Sequence, residues 1–239
     1  MKLIRLLGLT SVISLGVLGG TVSAQAVRYE VTSIKGIRPA LVNTINALQK
    51  NDIKAAKDAF EAYDIGWNGV EVYVNVRHPD MYKELEGGFQ NRITMALNAA
   101  APDAAATLAE AKAMLAKFDE EVAAIEKAPP LNRLFDDVAR LRTVRSPLRY
   151  VTPAIKAGNA DKARKMFAAF DDNWDSIEDL IKERSMEAYV AIESGMIDVE
   201  KALMPAQPNP DTVIAGVAGI TDKYNQIVAQ ITKEARSAK

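Results

Sequence analysis

Phe60, Trp67, Glu71, Tyr82 and Glu86 recur as Phe167, Trp174, Glu178, Tyr189 and Glu193, each 107 residues further along a chain of 239. Ala56, Asp64, Arg77 and Gly88 keep the same register with Ala163, Asp171, Arg184 and Gly195. An offset held over that length implies one supersecondary unit written twice, so whatever packs the first half should also pack the second. Two similar units are expected, over 36–128 and 131–237.

The unit is helical. Alanine, leucine, lysine and glutamate dominate, alternating β-branched stretches are nearly absent, and prolines and glycines punctuate long segments of helical period. The pattern predicts an all-α protein with helices near 37–50, 53–76, 79–98, 103–127, 131–157, 160–183, 186–204 and 210–236. Asn51-Asp52 and Gly158-Asn159 favour turns, Pro79 suits a first helical position and Ser185 an N-cap. Pro102-Asp103 and Pro210-Asp211 open the fourth helix of each unit. Phe60, Tyr63, Trp67, Val70 and Val74 step by three and four residues, as do Phe167, Phe170, Trp174, Ile177 and Ile181, which is the stripe a helix buries in a bundle. Both tryptophans are therefore expected in the core.

Residues 1–24 carry the marks of a secretory signal. Lys2 and Arg5 precede an apolar run to about Gly19, and small residues at Val22-Ser23-Ala24 suit a signal peptidase. The run is too short and glycine-interrupted for a membrane span, which needs roughly 20 apolar residues. The expectation is a periplasmic or secreted protein that does not span the membrane. The absence of cysteine rules out disulfides and thiolate metal sites. The formal charge of −1 falls to −1 − 2 = −3 when Lys2 and Arg5 leave with the signal, and no basic cluster appears, so nucleic acid is not an expected partner.

Glu71 and Glu178 call for a separate explanation. Each follows a tryptophan by four residues and so lies beside the buried stripe, where an unpaired carboxylate costs several kcal/mol. Glu71 and Glu86 sit seven and eight residues either side of His78, which can bring them to one level of a helical hairpin; Glu178 and Glu193 repeat this around Ser185. Asp64 and Asn68, with Asp171 and Asp175, extend the edge, and Tyr82 and Tyr189 offer phenol oxygens. Like charges brought together need a cation, a shared proton or an arginine. One reading is a salt-bridge network with Arg77 and Arg184. The other is an oxygen-rich site for a hard metal ion such as iron, manganese or calcium, with Glu71, Glu86, Glu178, Glu193, Asp64, Asp171 and Asp175 as candidate ligands. The aspartate-rich second half is then the tighter site. A third reading places a small organic ligand in a groove between the halves.

The single histidine argues against a di-iron oxidase with two Glu-x-x-His pairs, and His78, before Pro79, reads as a cap or surface residue. Without a catalytic triad, phosphate loop or dinucleotide fingerprint, no enzyme is expected.

The repeated W-x-x-[VI]-E, turn, Y-x-x-[LI]-E and glycine, from Trp67 to Gly88 and Trp174 to Gly195, resembles the helical extracytoplasmic domain of bacterial iron permease family proteins. It is more distantly similar to imelysin-type periplasmic iron-uptake proteins. The resemblance implies a periplasmic bundle that captures or hands over iron through acidic ligands, with a membrane permease or another envelope protein as partner. The permease's membrane helices with their Arg-Glu-x-x-Glu motif and the imelysin-type His-x-x-Glu signature are missing. The alternative is a non-catalytic structural or interaction protein of the cell envelope.

Overall fold

The computed structural model describes residues 28–238, and the expected signal segment lies outside them. Among the described residues every regular element is helical: α1 (Tyr29–Gln49), α2 (Ile53–Arg77), α3 (Pro79–Tyr82), a π-helical segment (Lys83–Gln90), α4 (Asn91–Asn98), α5 (Ala104–Lys127), α6 (Leu134–Arg145), α7 (Leu148–Lys156), α8 (Ala160–Trp174), α9 (Glu178–Lys182), α10 (Met186–Leu203) and α11 (Pro210–Ser237). Among the described residues no helix is long and apolar enough to cross a membrane.

The expected helices are present, with four differences, one of them the π-helical segment that interrupts 79–98 between α3 and α4. Helix α1 begins at Tyr29 and runs through Gly36 and Pro39. The segment expected over 131–157 bends at Ser146-Pro147, separating α6 from α7. The segment 160–183 breaks after Trp174, where Ser176 Oγ donates to the Asn173 carbonyl at 2.6 Å and so competes with the helical ladder.

The turns repeat in kind. Asn51 and Gly158 both take positive φ, at 55° and 71°, which suits these two residue types. The next residues, Asp52 and Asn159, cap α2 and α8 by accepting from Ala55 N (2.9 Å) and Lys162 N (3.0 Å). Ser185 caps α10. The two expected stripes are buried throughout, none of their ten side chains more than 5 % exposed, and aromatics run along each, stacked in Phe60–Tyr63–Trp67 and tilted by 53° and 50° in Phe167–Phe170–Trp174.

The offset is not constant to the chain's end. Leu85 and Phe89 match Ile192 and Met196 at 107, but the next buried pairs, Ile93 with Val199 and Leu97 with Leu203, stand at 106. The shift persists: the caps of α5 and α11 are Asp103 and Asn209, and Thr107, Ala111, Met114, Phe118, Val122 and Ile125 match Val213, Val217, Ile220, Tyr224, Val228 and Ile231, all buried. The pairing of Pro102-Asp103 with Pro210-Asp211 is thereby corrected. The first half carries one extra residue between Phe89 and Ile93, where the π-helical segment ends. Buried positions spaced 4-4-4 drift by about 120° over three α-helical turns, whereas the 4-3-4 spacing of the second half drifts by about 20°. Wider π turns take up the difference and keep all four side chains on the core.

Helix α2 packs against α1 within the first half and against α6 across the halves, so its residues 67–74 are buried on every side. The crossing is close at Gly69, where a Cβ would stand 2.9 Å from Thr143 Cβ and 3.1 Å from its Cα. Tyr73 donates from its hydroxyl to Asp136 at 2.7 Å along the same seam.

Candidate functional site

The repeated tryptophans present their indole edges to the repeated glutamates. Trp67 Nε1 donates to Glu86 Oε2 at 3.2 Å, and Trp174 Nε1 donates to Glu193. Tyr82 and Tyr189, four residues into α3 and α10, lie nearly parallel to these indoles at 9° and 16°, with centroids 6.5 and 6.3 Å away. A buried indole N–H needs an acceptor, and each glutamate supplies one, so helices two and three of each half are pinned together.

Around this common frame the halves differ. In the first, the residue added by the π-helical segment brings Gln90 into the interior, only 4 % exposed. The amide orientation that pairs every donor with an acceptor has Gln90 accepting from Trp67 Nε1 at 3.1 Å and donating to Asp64 Oδ1 at 3.2 Å. Asp64 also accepts from the Tyr150 hydroxyl of α7. Burial and the facing Glu86 push the Tyr82 phenol up to about 12. The Tyr63 hydroxyl is fully buried without a hydrogen-bond partner; burial, then Asp64, raise its pKa well above the ordinary value. Asp64, Glu86, Gln90 and three phenols thus form one oxygen-rich group. An open cleft of about 280 Å³ beside it is lined by Asp64, Tyr150, Leu97 and Lys162.

In the second half α10 is regular and no residue takes the place of Gln90. Glu178 begins the short α9 and is half-buried beside Tyr189, whose pKa is raised by burial, then by Glu193 and Glu178. Asp171 and Asp175 are exposed. Partial desolvation against the helix surface raises the otherwise exposed Asp171 carboxyl, and Glu200, Asp172, Asp175 and Glu193 raise it further by repulsion.

Glu71 does not share a partner with Glu86. It is 5 % exposed and forms an ion pair with Arg142 of α6, so arginine does meet this carboxylate, though from the other half of the chain. Arg77 is committed elsewhere, to Glu30 at 2.7 Å and the Pro129 carbonyl at 2.6 Å, fastening the connection between the halves. Arg184 lies 3.8 Å from Glu234. His78 ends α2 and bonds through Nδ1 to Glu121 at 2.7 Å; Glu121 is 2 % exposed and burial raises its pKa.

Among the described residues no three of histidine, aspartate and glutamate converge as a metal site. Of the seven candidate ligands, Asp64 and Glu86 are linked through Gln90 and Trp67, and Asp171 and Glu193 interact electrostatically, while Glu71 is withdrawn to Arg142. Gln90, Tyr150 and Arg142 were not among the expected residues. The 4-4-4 spacing signals the first; nothing local to Asp64 or Glu71 signals the other two, which come from the opposite half. Compared with family models, characterised proteins and solved structures, the chain matches none.

Proposed function

We propose that the protein is an exported, non-catalytic structural or interaction module of the cell envelope, built from a doubled four-helix unit whose paired glutamates fasten helices. One observation carries this reading: Glu71, Glu86, Glu193 and Asp64 each already accept from a donor within the protein, namely Arg142, Trp67, Trp174 and Tyr150. Each of these carboxylates already has a donor that orients it and offsets its burial, so helix fastening accounts for it without an ion.

A second reading, a site for a hard cation such as iron, rests on Asp171. Its carboxyl is raised by partial desolvation and by four neighbouring carboxylates, and a bound cation relieves repulsion of this kind. On that reading the ion sits in the second half, with Asp171, Glu193 and Asp175 as ligands.

Calorimetric titration of the metal-stripped mature protein with chelated ferric iron, manganese and calcium separates the two, with tryptophan fluorescence recorded in parallel. The structural reading expects no saturable heat and an unchanged indole signal, with Glu71→Gln and Glu178→Gln altering only thermal stability. Saturable binding weakened at least tenfold by Asp171→Asn overturns it in favour of the cation site.

A further inference from the structure

We propose that the cleft between α8 and α10 is a binding site for an alkylammonium, a primary ammonium on a short apolar chain, carried by a free amine or by a lysine side chain.

The two halves hold the same cleft with different linings. In the first, of about 280 Å³, Lys57, Phe60, Glu61 and Asp64 of α2 face Thr94, Leu97 and Asn98 of α4. In the second, of about 200 Å³, Arg164, Phe167, Ala168 and Asp171 of α8 face Glu200 and Leu203 of α10 and the following Met204. These seven residues lie 107 positions after their counterparts in α2 and 106 after their counterparts in α4.

The first cleft shows what this framework can seat. Tyr150 of α7 and Lys162 of α8 complete its lining. The Tyr150 hydroxyl donates to Asp64, and the Lys162 ammonium pairs with Glu61, 5.7 Å from the centre of the Tyr150 ring. The chain therefore places an ammonium of its own there, on a carboxylate and near an aromatic face. The residues corresponding to Tyr150 and Lys162 are Asn43 and Ala55. Neither lines the second cleft, which has no lysine in its lining.

The second lining combines an apolar surface with two unpaired acids. Ala168 stands in place of Glu61 and Met204 in place of Asn98, beside the buried Phe167 and Leu203; Met204 is 68 % exposed. Asp171 is kept, and Glu200 stands in place of Thr94. Arg164, the cation of the lining, is committed to the Leu203 and Pro205 carbonyls at 2.9 and 2.6 Å and to Asp161 at 2.8 Å. Among the described residues neither Asp171 nor Glu200 forms an ion pair. Partial desolvation, then repulsion from Glu200, raises the Asp171 carboxyl, and a bound ammonium relieves that repulsion.

The apolar part selects among cations. Phe167, Leu203 and Met204 offer an alkyl chain a surface on which to leave water, which a bare metal ion cannot use. The volume falls below the roughly 300–1,000 Å³ of drug-sized sites, so the ligand is short. Met204 has no part in the hard-cation reading, so the two can be told apart.

The full mature chain is titrated calorimetrically with pentylamine hydrochloride, and with ammonium chloride and 1-pentanol as controls, at matched ionic strength. The parent should bind pentylamine saturably and at least tenfold more tightly than either control. Glu200→Thr with Met204→Asn installs the first-half residues at two exposed positions. This double variant should bind pentylamine at least tenfold more weakly, with a melting temperature within about 2–3 °C of the parent. Nα-acetyl-lysine amide, titrated separately, distinguishes the source: comparable affinity supports the site as one for lysine side chains, and binding of pentylamine alone supports it as one for free amines. A parent that binds pentylamine no better than ammonium or pentanol overturns the proposal, as does a double variant that keeps the parent's affinity.

Discussion

Deleting Gln90 should be far less damaging than deleting a residue from the matching stretch of α10. In the first half the outer buried positions, Leu85 and Leu97, are twelve residues apart. Removing one leaves eleven, about 20° beyond three full α-helical turns, which is the spacing from Ile192 to Leu203 in the regular second half. The deletion thus converts the π-helical segment into an α-helix with its stripe intact. What is lost is the Gln90 amide, whose bonds to Trp67 and Asp64 contribute about 0.5–1.5 kcal/mol each. Regular helical bonding offsets part of this, so the expected net loss is about 1–2 kcal/mol. Deleting the exposed Asp198 instead leaves ten residues between Ile192 and Leu203, about 80° short of three turns. Val199 and Leu203 then turn off the core, at about 1.5–3 kcal/mol each and roughly 3–6 kcal/mol together before any cavity is counted. Urea unfolding, followed by circular dichroism and tryptophan fluorescence, measures both variants. Equal losses, or a greater loss for the Gln90 deletion, would refute the assignment of the π-helical segment to a single added residue.

Further tests address the seam and the buried charges. Arg142→Met should destabilise the protein by about 3–5 kcal/mol by stranding the buried Glu71, and Glu71→Met with Arg142→Met should recover most of that loss in chemical denaturation. Gly69→Ala should cost about 1–3 kcal/mol, and Thr143→Ser should not rescue it, because the Thr143 Cα is itself only 3.1 Å from the added methyl. Replacing His78 and Glu121 by the residues of the second half, His78→Ser with Glu121→Ile, should leave stability at pH 7 unchanged or higher. Glu121 has a folded pKa above its usual value, so the folded state binds its proton more tightly and loses stability as pH rises from the ordinary carboxylate range through that pKa. The double variant should lack this loss, and its advantage over the parent should therefore grow between about pH 4.5 and 7 in melting curves; an advantage that shrinks with pH would contradict the burial argument.

Most of the fold was legible because burial imposes a period. The stripes from Phe60 to Val74 and from Phe167 to Ile181 are spaced as packing requires, and Asn51-Asp52, Gly158-Asn159 and Ser185 carry the chemistry of their turns and caps. The π-helical segment was also written in the sequence, as a 4-4-4 spacing. The partners of the carboxylates were not. Glu71 was correctly read as a buried acid needing a counter-charge, but that charge comes from Arg142, seventy-one residues away across the seam, and no local pattern encodes a contact between helices of different units. The break after Trp174 is hidden for a related reason: the apolar stripe of Phe170 and Trp174 continues beyond it through Ile177 and Ile181, so the period conceals a discontinuity at which Ser176 bonds back to the Asn173 carbonyl.

What repeats and what does not follows from how strongly each kind of contact resists change. Close-packed interiors penalise a misplaced methylene group, and most of the matched buried positions are accordingly apolar, from Ile34 and Leu141 to Ile125 and Ile231. Exposed ion pairs contribute little, with medians of about 0–1 kcal/mol, so Arg38–Asp119 can become Arg145–Asn225 and Lys35–Glu126 can become Arg142 with Thr232 without disturbing the bundle. Thr44 against Val151 and Thr107 against Val213 exchange a hydroxyl for a methyl, and Glu121 against Ile227 is a charged exception that appears together with His78 as its partner. The differences between the halves therefore collect where fold constraints are weakest, along α6–α7, around the π-helical segment and at the exposed positions of the two clefts. A ligand that distinguishes one half from the other has to be recognised there, because the Trp–Glu and Trp–Tyr contacts common to both cannot tell them apart.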